Sequence, residues 1–221
     1  MEQSAVDTVL AWQSAARLNY TAEKLRKRGF DVEVCATREI ARERLLTFAE
    51  TAHTIGFGGS LSVACLNLTH TLRDTGKEIL NHGFPNLTPE ERDDIRRRQL
   101  SCDLFLSSVN AMTDEGVIVN VDGVGNRVAA MIYGPRQIVL VVGRNKLVKG
   151  DEADALKRIA ETAAPVNAYR LGCKTPCAVT GRCASCAGVT EGSICRVTTI
   201  IHQRPLYSNV TILLVDEDLG L

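Results

Sequence analysis

The chain has 221 residues, and its 26 Lys and Arg residues balance its 26 Asp and Glu residues, so the formal net charge at pH 7 is zero. Nucleic-acid-binding and membrane-surface proteins show a basic excess or a basic amphipathic face, so we expect neither partner. Hydrophobic residues make up 45% of the chain and charged residues 24%. These fractions are typical of a globular protein that buries a core without disulfides.

The N-terminal sequence has no basic segment followed by an apolar stretch, which argues against a secretory signal. The longest apolar runs, such as 138–142, are far shorter than the ~20 residues needed to span a bilayer. We therefore expect a cytoplasmic protein. Five of its eight cysteines fall between Cys173 and Cys195, and in a reducing compartment clustered thiols are more often metal ligands or redox groups than disulfides.

The first part of the chain alternates predicted helices and strands. Apolar side chains at mixed three- and four-residue spacings predict a helix, or a pair of helices, over 1–29, and a charged helix over 37–52. Residues 31–35 and 53–57 have the pattern of strands. Ser60 follows the second strand and is the predicted N-cap of the next helix.

A helix with a clear start signal and a hairpin follow. Thr88, Pro89 and Glu91 occupy the N-cap, N1 and N3 positions of a predicted capping box. Beyond this charged helix, residues 102–110 and 117–121 have the composition of strands, and a glycine-containing turn separates them.

The last part of the chain supports the same fold class. Strands that alternate with helices predict one α/β domain over residues 1–221, with a Rossmann-like, mostly parallel sheet covered by helices on both faces. The predicted elements after the hairpin are a polar loop at 122–126, a helix at 127–133, a strand at 137–142, a helix at 151–163 that ends at Ala164 and Pro165, and strands at 197–203 and 209–215.

The first candidate site is the turn formed by Gly58, Gly59 and Ser60. Glycines between a strand and a helix let backbone N–H groups face a concavity where the helix dipole favours a phosphate or carboxylate. An ordinary turn is the alternative. A dinucleotide site is less favoured, because the third glycine of G-x-G-x-x-G is missing and the turn is not in the first βα unit.

The second candidate site combines Asn110 with the loop that runs from Asp122 to Arg127 and contains Gly123, Gly125 and Asn126. Loops that follow buried strands are where open α/β sheets bind ligands. Arg127 could grip a carboxylate bidentately, and Asp122 could act as a base or orient Arg127. In the alternative interpretation, Asp122 and Asn126 cap a helix and Arg127 pairs with Asp122. Both interpretations can hold together.

The third candidate is the cysteine-rich loop at 172–196. It has no hydrophobic periodicity, so we expect something other than an apolar face to organise it. Five thiols in 23 positions indicate a metal or cluster site, and spacing alone does not separate tetrahedral zinc from a [4Fe–4S] cluster. Reduced thiols without metal are the alternative.

The remaining cysteines and the histidines are predicted to be structural. Cys35, Cys65 and Cys102 lie in strand or helix patterns, where a free cysteine is most simply a small buried hydrophobe. The histidines have no metal-binding spacing and are predicted to be structural; they are His53, His70, His82 and His202.

Several segments together resemble the lactate-utilisation (LUD) domain family. The resemblance covers about residues 10–221, and its most specific part is the Asn-x-Asp-Gly-x-Gly-Asn-Arg stretch that starts at Asn120. It also rests on the segments 56–60, 107–116 and 212–221. It implies a fold similar to the superfamily of ribose-phosphate isomerase, glucosamine-phosphate deaminase and CoA-transferase.

The resemblance also implies a function in the oxidation of L-lactate to pyruvate, beside iron–sulfur partner proteins. The expected ligand is a small carboxylate or a phosphorylated or CoA-like anion, and a homo-oligomer is a further expected partner. Asp122 and Arg127 are then the expected catalytic residues. The expected ligand-binding residues are Gly58, Gly59, Ser60, Asn110, Gly123, Gly125 and Asn126.

The resemblance further sorts the loop cysteines. Relatives of this short type have Asn-Lys-Thr-Pro-Cys in the loop, and Cys173 stands where the Asn is expected. The implied ligands of a [4Fe–4S] cluster, or alternatively of zinc, are therefore Cys177, Cys183, Cys186 and Cys195. Two other functions stay open, namely a non-catalytic assembly subunit for iron–sulfur partners and a metal-independent isomerase or acyl-transfer enzyme on the same fold.

Overall fold

Two sheets organise the structure, a computed structural model that describes residues 3–186 and 192–221. In chain order the described strands are β1 (Asp31–Cys35), β2 (Thr54–Phe57), β3 (Glu78–Leu80), β4 (Leu104–Ser107), β5 (Ala111–Thr113), β6 (Ile118–Asp122), β7 (Gln137–Gly143), β8 (Leu147–Val148), β9 (Val197–Ile201) and β10 (Val210–Val215).

Helices connect these strands. The described α-helices are α1 (Gln3–Lys27), α2 (Arg38–Glu50), α3 (Leu61–Ala64), α4 (Leu68–Arg73), α5 (Pro89–Gln99), α6 (Asn126–Ile132), α7 (Glu152–Arg158), α8 (Ala164–Arg170) and α9 (Pro176–Thr180). A 3-10 turn (Arg144–Lys146) follows β7, and a π-helical segment (Ile159–Ala163) joins α7 to α8. No helix of the described residues is long and apolar enough to cross a membrane.

The main sheet has six strands in the order β1-β10-β7-β4-β2-β3, and every neighbouring pair is parallel. All six residues of β10 are buried, as are six of the seven residues of β7. Such continuous apolar strands are typical of a parallel sheet covered on both faces. The predicted α/β class with a mostly parallel sheet is confirmed.

Separate hydrophobic cores lie on the two faces of this sheet. Leu18 and Leu25 of α1 pack with Phe105, and Met131 of α6 joins the same core. On the other face, α2 contributes Leu45 and the α3–α4 region adds further leucines. The helices therefore cover both faces, as predicted.

The order of the strands creates a crevice at the carboxyl ends of two neighbouring inner strands of the main sheet. After β2 the chain passes over one face through α3 and α4 to reach β3, whereas after β4 it returns to β7 through α6 on the other face. The connections that leave the carboxyl ends of the neighbouring strands β2 and β4 therefore run to opposite faces of the sheet. This is the place where open α/β sheets bind ligands.

A second sheet lies beyond the ends of β4 and β7. Its order is β8-β5-β6-β9, with β5 and β6 forming the predicted antiparallel hairpin. β9, which follows the cysteine-rich loop, pairs with β6 in the antiparallel sense, and this pairing places Val197 opposite Asp122. The hydrophobic core between this second sheet and α7 includes Val117, Val119 and Ile159.

Local predictions hold where a start signal is strong and fail where helices are interrupted. Ser60 and the Thr88 capping box are confirmed. The helix predicted after Ser60 is split into α3 and α4 by Asn67, which has a positive φ of 50°. The expected stop at Pro165 is wrong, because a π-helical segment precedes α8 and leaves the proline in its first turn, where no N–H is needed.

The cysteine-rich segment is partly helical rather than entirely a loop, since α9 lies within it. The segment follows α8, and β9 begins two residues after Cys195. Residues 187–191, also predicted as loop, lie outside the described residues.

Candidate functional site

A cavity of about 390 Å³ opens at the carboxyl ends of β2, β4 and β7. Its size suits a small-molecule ligand. Gly125 begins α6 with a φ of 92° and is not among the lining residues. The predicted ligand-site and metal residues that do line the cavity are Gly58, Gly59, Ser60, Asn110, Asp122, Gly123, Asn126, Arg127 and Cys195.

The glycine turn after β2 is shaped by the neighbouring strand. The N–H of Gly58 donates to the carbonyl of Leu106 at 3.0 Å, and a Cβ on Gly58 would lie 2.7 Å from the Ser107 hydroxyl. Gly59 has a φ of 71°, which favours glycine. Ser60 caps α3, a helix of only four residues, so the helix dipole adds little attraction for an anion and the charge must come from side chains.

Arg127 connects the carboxyl ends of β4 and β6 through side-chain hydrogen bonds. One terminal nitrogen donates to the Ser108 carbonyl at 3.2 Å and to Asn120 Oδ1 at 3.0 Å. The other donates to Asn110 Oδ1 at 2.9 Å and to the Val121 carbonyl at 3.0 Å. A bidentate grip on a ligand carboxylate would break these bonds, so the geometry gives Arg127 a positioning role and a buried positive charge.

Asp122 both stabilises the start of α6 and lies beside Arg127, two of the roles considered for it from the sequence. Its Oδ2 accepts the N–H of Val128 at 3.2 Å near the start of α6, and its Oδ1 accepts the N–H of Gly123 at 2.9 Å. Its Oδ2 also lies 3.8 Å from Arg127 Nε. Asp122 therefore organises the start of α6 and balances part of the Arg127 charge while it lines the cavity.

Asn126 carries the clearest unfilled hydrogen-bonding capacity of the cavity lining. Its Nδ2 is buried, and no acceptor for it exists within residues 3–186 and 192–221. A buried amide donor left without a partner costs about 1–3 kcal/mol, so native proteins normally satisfy it. A ligand oxygen in the cavity would supply the missing acceptor.

Lys146 is a cavity residue that the sequence reasoning missed. It follows β7 and has only 5% of its surface exposed. Its ammonium nitrogen donates to Ser108 Oγ and to the Val109 carbonyl, both at 2.9 Å. Burial, followed by the positive charges of Arg158 and Arg127, lowers the pKa of Lys146 to about 7.

Positive side chains dominate the cavity, although the whole chain is neutral. Among the described residues that line it, Asp122 is the only acidic side chain. His82, predicted to be structural, also lines the cavity, and its pKa is lowered by burial and then by Arg96. The cationic lining side chains are Arg92, Arg96, Arg127, Lys146 and Arg170.

Cys195 connects the cavity to the other loop cysteines. Burial raises the pKa of its thiol, and electrostatic interaction with Cys177, Cys183 and Cys186 raises it further, so each of these three groups lies within electrostatic range of Cys195. The N–H of Ser185 points to the Cys183 sulfur at 3.4 Å. Within the described residues no three His, Cys, Asp or Glu side chains are already arranged to hold a metal ion.

The other cysteines divide differently from the prediction. Cys35 and Cys102 are buried, and desolvation raises the pKa of each thiol to about 11, which agrees with a core role. Cys65 is exposed, so its prediction as a buried hydrophobe is wrong. It lies just after the short α3, where the helix ends early and leaves the side chain at the surface.

The fold and cavity define an α/β protein whose parallel sheet has a cavity lined by cationic side chains at its switch point. A model of the LUD domain matches residues 18–215, so the chain belongs to the LUD domain family. The structure is similar to the crystal structure of a DUF162 family protein from Deinococcus radiodurans, with 14% identity and a TM-score of 0.53 over 91% of this chain and 98% of that chain. That likeness concerns the fold alone. The comparison with curated proteins found no match.

Proposed function

We propose that this protein takes part in the oxidation of L-lactate to pyruvate, binds a small anionic ligand in the cavity, and holds a [4Fe–4S] cluster on its cysteine-rich segment. Family membership supports the lactate connection. The ligand class is a small carboxylate or a phosphorylated or CoA-like anion. The observation that carries the ligand proposal is the excess of cationic side chains over one carboxylate around a cavity at the ends of β2, β4 and β7.

The residues that line the cavity contribute to ligand binding in different ways. Asn126 offers its unpaired Nδ2 to a ligand oxygen. Gly58 makes room for the Ser107 hydroxyl, Gly59 adopts the positive φ that the turn requires, and Ser60 holds the turn by accepting the Val63 N–H at 3.3 Å. Low exposure strengthens every charge in such a site, because little water screens it.

Asn110, Asp122 and Arg127 keep the reacting end of the ligand in place. Asn110 Oδ1 accepts both the Val121 N–H at 2.9 Å and Arg127 Nη2, so neither side chain is free to rotate. Asp122 is the one carboxylate side chain among the described lining residues and is the proposed proton acceptor. Its short distance to Gly123 and Val128 fixes where that acceptor sits.

The donor set of the cysteine-rich segment fits an iron–sulfur cluster in its chemistry. The proposed ligands are Cys177, Cys183, Cys186 and Cys195, and the first three each act electrostatically on Cys195. Four thiolates are the ligands of a [4Fe–4S] cluster, and an N–H directed at a sulfur, as from Ser185 to Cys183, is the kind of contact that tunes such a site. A bound cluster would supply one-electron transfer.

Two measurements test the proposal separately. Calorimetry with L-lactate, pyruvate, inorganic phosphate and CoA should show binding to the wild-type protein and weaker binding to Asn126→Ala. If none of the four probes binds, the ligand assignment is wrong.

Iron analysis after anaerobic reconstitution tests the cluster. We expect a broad charge-transfer absorption and close to one cluster per chain. Zinc at one equivalent with no iron would instead favour the zinc alternative. Lactate turnover with an artificial acceptor supports intrinsic catalysis, whereas turnover only with iron–sulfur partner proteins indicates an assembly or relay subunit.

A further inference from the structure

Lys146 is the most unusual buried group of the cavity. It has no carboxylate partner among its described hydrogen bonds, since both acceptors, Ser108 Oγ and the Val109 carbonyl, are neutral. A neutral amine has two N–H bonds, which these acceptors satisfy, and a lone pair that remains available. An ammonium group would have a third N–H for which the described residues offer no acceptor.

The charges around Lys146 favour the neutral amine. Arg158 on α7 and Arg127 on α6 are the cations that act on it, and Cys65 has a smaller effect in the opposite direction. Arg158 is held in place by the Asn145 carbonyl at 3.0 Å and the Asn110 carbonyl at 2.7 Å, so it cannot turn away. With a pKa of about 7, Lys146 presents on the order of a thousandfold more free amine at pH 7 than a solvated lysine.

We propose that Lys146 is a nucleophile that forms a Schiff base with the carbonyl group of a 2-oxo acid bound in this cavity. The inference rests on the proposed function, because pyruvate, the product of L-lactate oxidation, is a 2-oxo acid. The surrounding arginines attract the carboxylate, and Lys146 lies at the end of β7 beside the ends of β2 and β4. Buried, desolvated lysines are activated in this way for attack on carbonyl carbon.

The reaction is balanced without an oxidant. The Nζ lone pair forms a C–N bond to the carbonyl carbon, and the π electrons of the C=O bond move to oxygen. The amine loses a proton and the oxygen gains one, giving a carbinolamine. Loss of the hydroxyl with a second proton, as water, then leaves the C=N bond. The sum is amine plus ketone to imine plus water.

Reductive trapping tests the proposal directly. Wild-type protein is incubated with pyruvate and sodium cyanoborohydride, and the carboxyethyl adduct is located by peptide mass mapping. We expect labelling of Lys146 at least about a hundredfold faster than that of surface lysines at pH 7, with a half-maximal rate near pH 7. A buried lysine with only a structural role would label no faster than a solvated amine.

Variants separate the site from general surface reactivity. Lys146→Arg keeps the charge but has no free amine, and Lys146→Met provides a second variant if the arginine does not fold. Lys149→Arg is the matched control, because Lys149 is exposed and three residues further along. Labelling should be lost in both Lys146 variants and unchanged in Lys149→Arg, and acetone, which lacks the carboxylate, should label Lys146 much more slowly than pyruvate.

The outcomes distinguish this inference from the proposed function. If lactate and pyruvate bind but the adduct is absent from Lys146 or spread over surface lysines, the nucleophile assignment is overturned and the binding function stands. If Lys146 is labelled but neither the protein alone nor its partner complex oxidises lactate, the lactate function is wrong and the amine site stands.

Discussion

The two walls of the cavity are built in opposite ways. The sheet wall, formed by Ser108, Asn110, Arg127 and Lys146 with Asn120 behind them, is buried or half-buried and cross-linked by hydrogen bonds between β4, β6, α6 and the turn after β7. We call the described residues of the cysteine-rich segment, 173–186 and 192–196, the cysteine wall; it meets the cavity at Ile194 and Cys195 and has a continuous exposed stretch from 179 to 185. The sheet wall is organised by the fold itself.

The cysteine wall has fewer means of holding its own shape. Its hydrogen bonds are mostly local, such as those of Thr180 Oγ1 to the Pro176 and Arg182 carbonyls. One firm connection to the sheet wall is the Arg196 N–H, which donates to the Asp122 carbonyl at 2.9 Å just before β9. This contrast indicates that the sheet wall contributes more to the stability of the fold than the cysteine wall does.

The largest effect is expected from Arg127→Met. The substitution removes four hydrogen bonds of a half-buried cation and leaves Asn110 Oδ1 and Asn120 Oδ1 with one backbone donor each instead of two donors. The free energy of unfolding should fall by about 3 kcal/mol or more. Urea denaturation followed by circular dichroism measures this loss.

Arg97→Met is the control for that measurement. Arg97 forms an exposed ion pair with Asp93 on α5, with 76% of its side chain exposed, and its loss should cost less than about 0.5 kcal/mol. Equal destabilisation by the two substitutions would show that the Arg127 network does not hold the sheet wall together.

Lys146→Met should change how stability depends on pH. The folded chain releases the Lys146 proton near pH 7, and the unfolded chain releases it near 10.5, so the unfolded state binds more protons between these values and wild-type stability rises with pH there. Relative to Lys146→Met, the wild-type protein should gain about 2 kcal/mol between pH 7 and pH 9. Denaturation curves of both proteins at several pH values measure the difference. A difference that does not change with pH means that the Lys146 pKa is unshifted.

Local sequence signals predicted local structure well, and contacts between distant segments account for what was missed. Ser60 and Thr88 cap their helices as predicted because a cap involves only the next three residues. Lys146 lies in an ordinary Arg-Asn-Lys turn, and only the pairing of β7 with β4 brings it to Ser108. The antiparallel pairing of β9 with β6 is equally distant in the chain, so the second sheet was not predicted.

The candidate site shows the same difference between local signals, which the sequence reveals, and contacts between distant segments, which it does not. The glycine turn and the loop from Asp122 to Arg127 were found because glycines and polar residues cluster there in sequence. His82 and Arg96 reach the cavity from β3 and α5, where nothing nearby in sequence marks them. Arg127 was expected to face a ligand, but its four internal bonds are visible only once the strand ends meet.

Asn126→Ala should separate binding from stability within the sheet wall. Because Asn126 Nδ2 has no described acceptor, its removal relieves the cost of an unsatisfied buried donor, so the free energy of unfolding of the ligand-free protein should not fall, while a ligand that uses this donor should bind about tenfold more weakly. Calorimetry with pyruvate and urea denaturation measure the two quantities. Asn19→Ala, at an exposed position on α1, is the control; it should leave the affinity unchanged and alter the free energy of unfolding by no more than about 0.5 kcal/mol. Unaltered affinity in Asn126→Ala would remove Asn126 from the ligand site.

The smallest effect on stability is expected in the cysteine wall. Cys183 is exposed, so Cys183→Ser should change the free energy of unfolding of the metal-free protein by less than about 0.5 kcal/mol. The same substitution should nevertheless lower iron retention after reconstitution by about half or more, because one of four thiolate ligands is lost. Cys65→Ser is the matched control, since Cys65 is also exposed but lies outside the segment. If Cys183→Ser and Cys65→Ser retain the same iron, the cysteine wall does not bind a cluster through Cys183. If Cys183→Ser instead destabilises the metal-free protein as much as Arg127→Met does, the two walls are held by the same network, and the contrast between them is wrong.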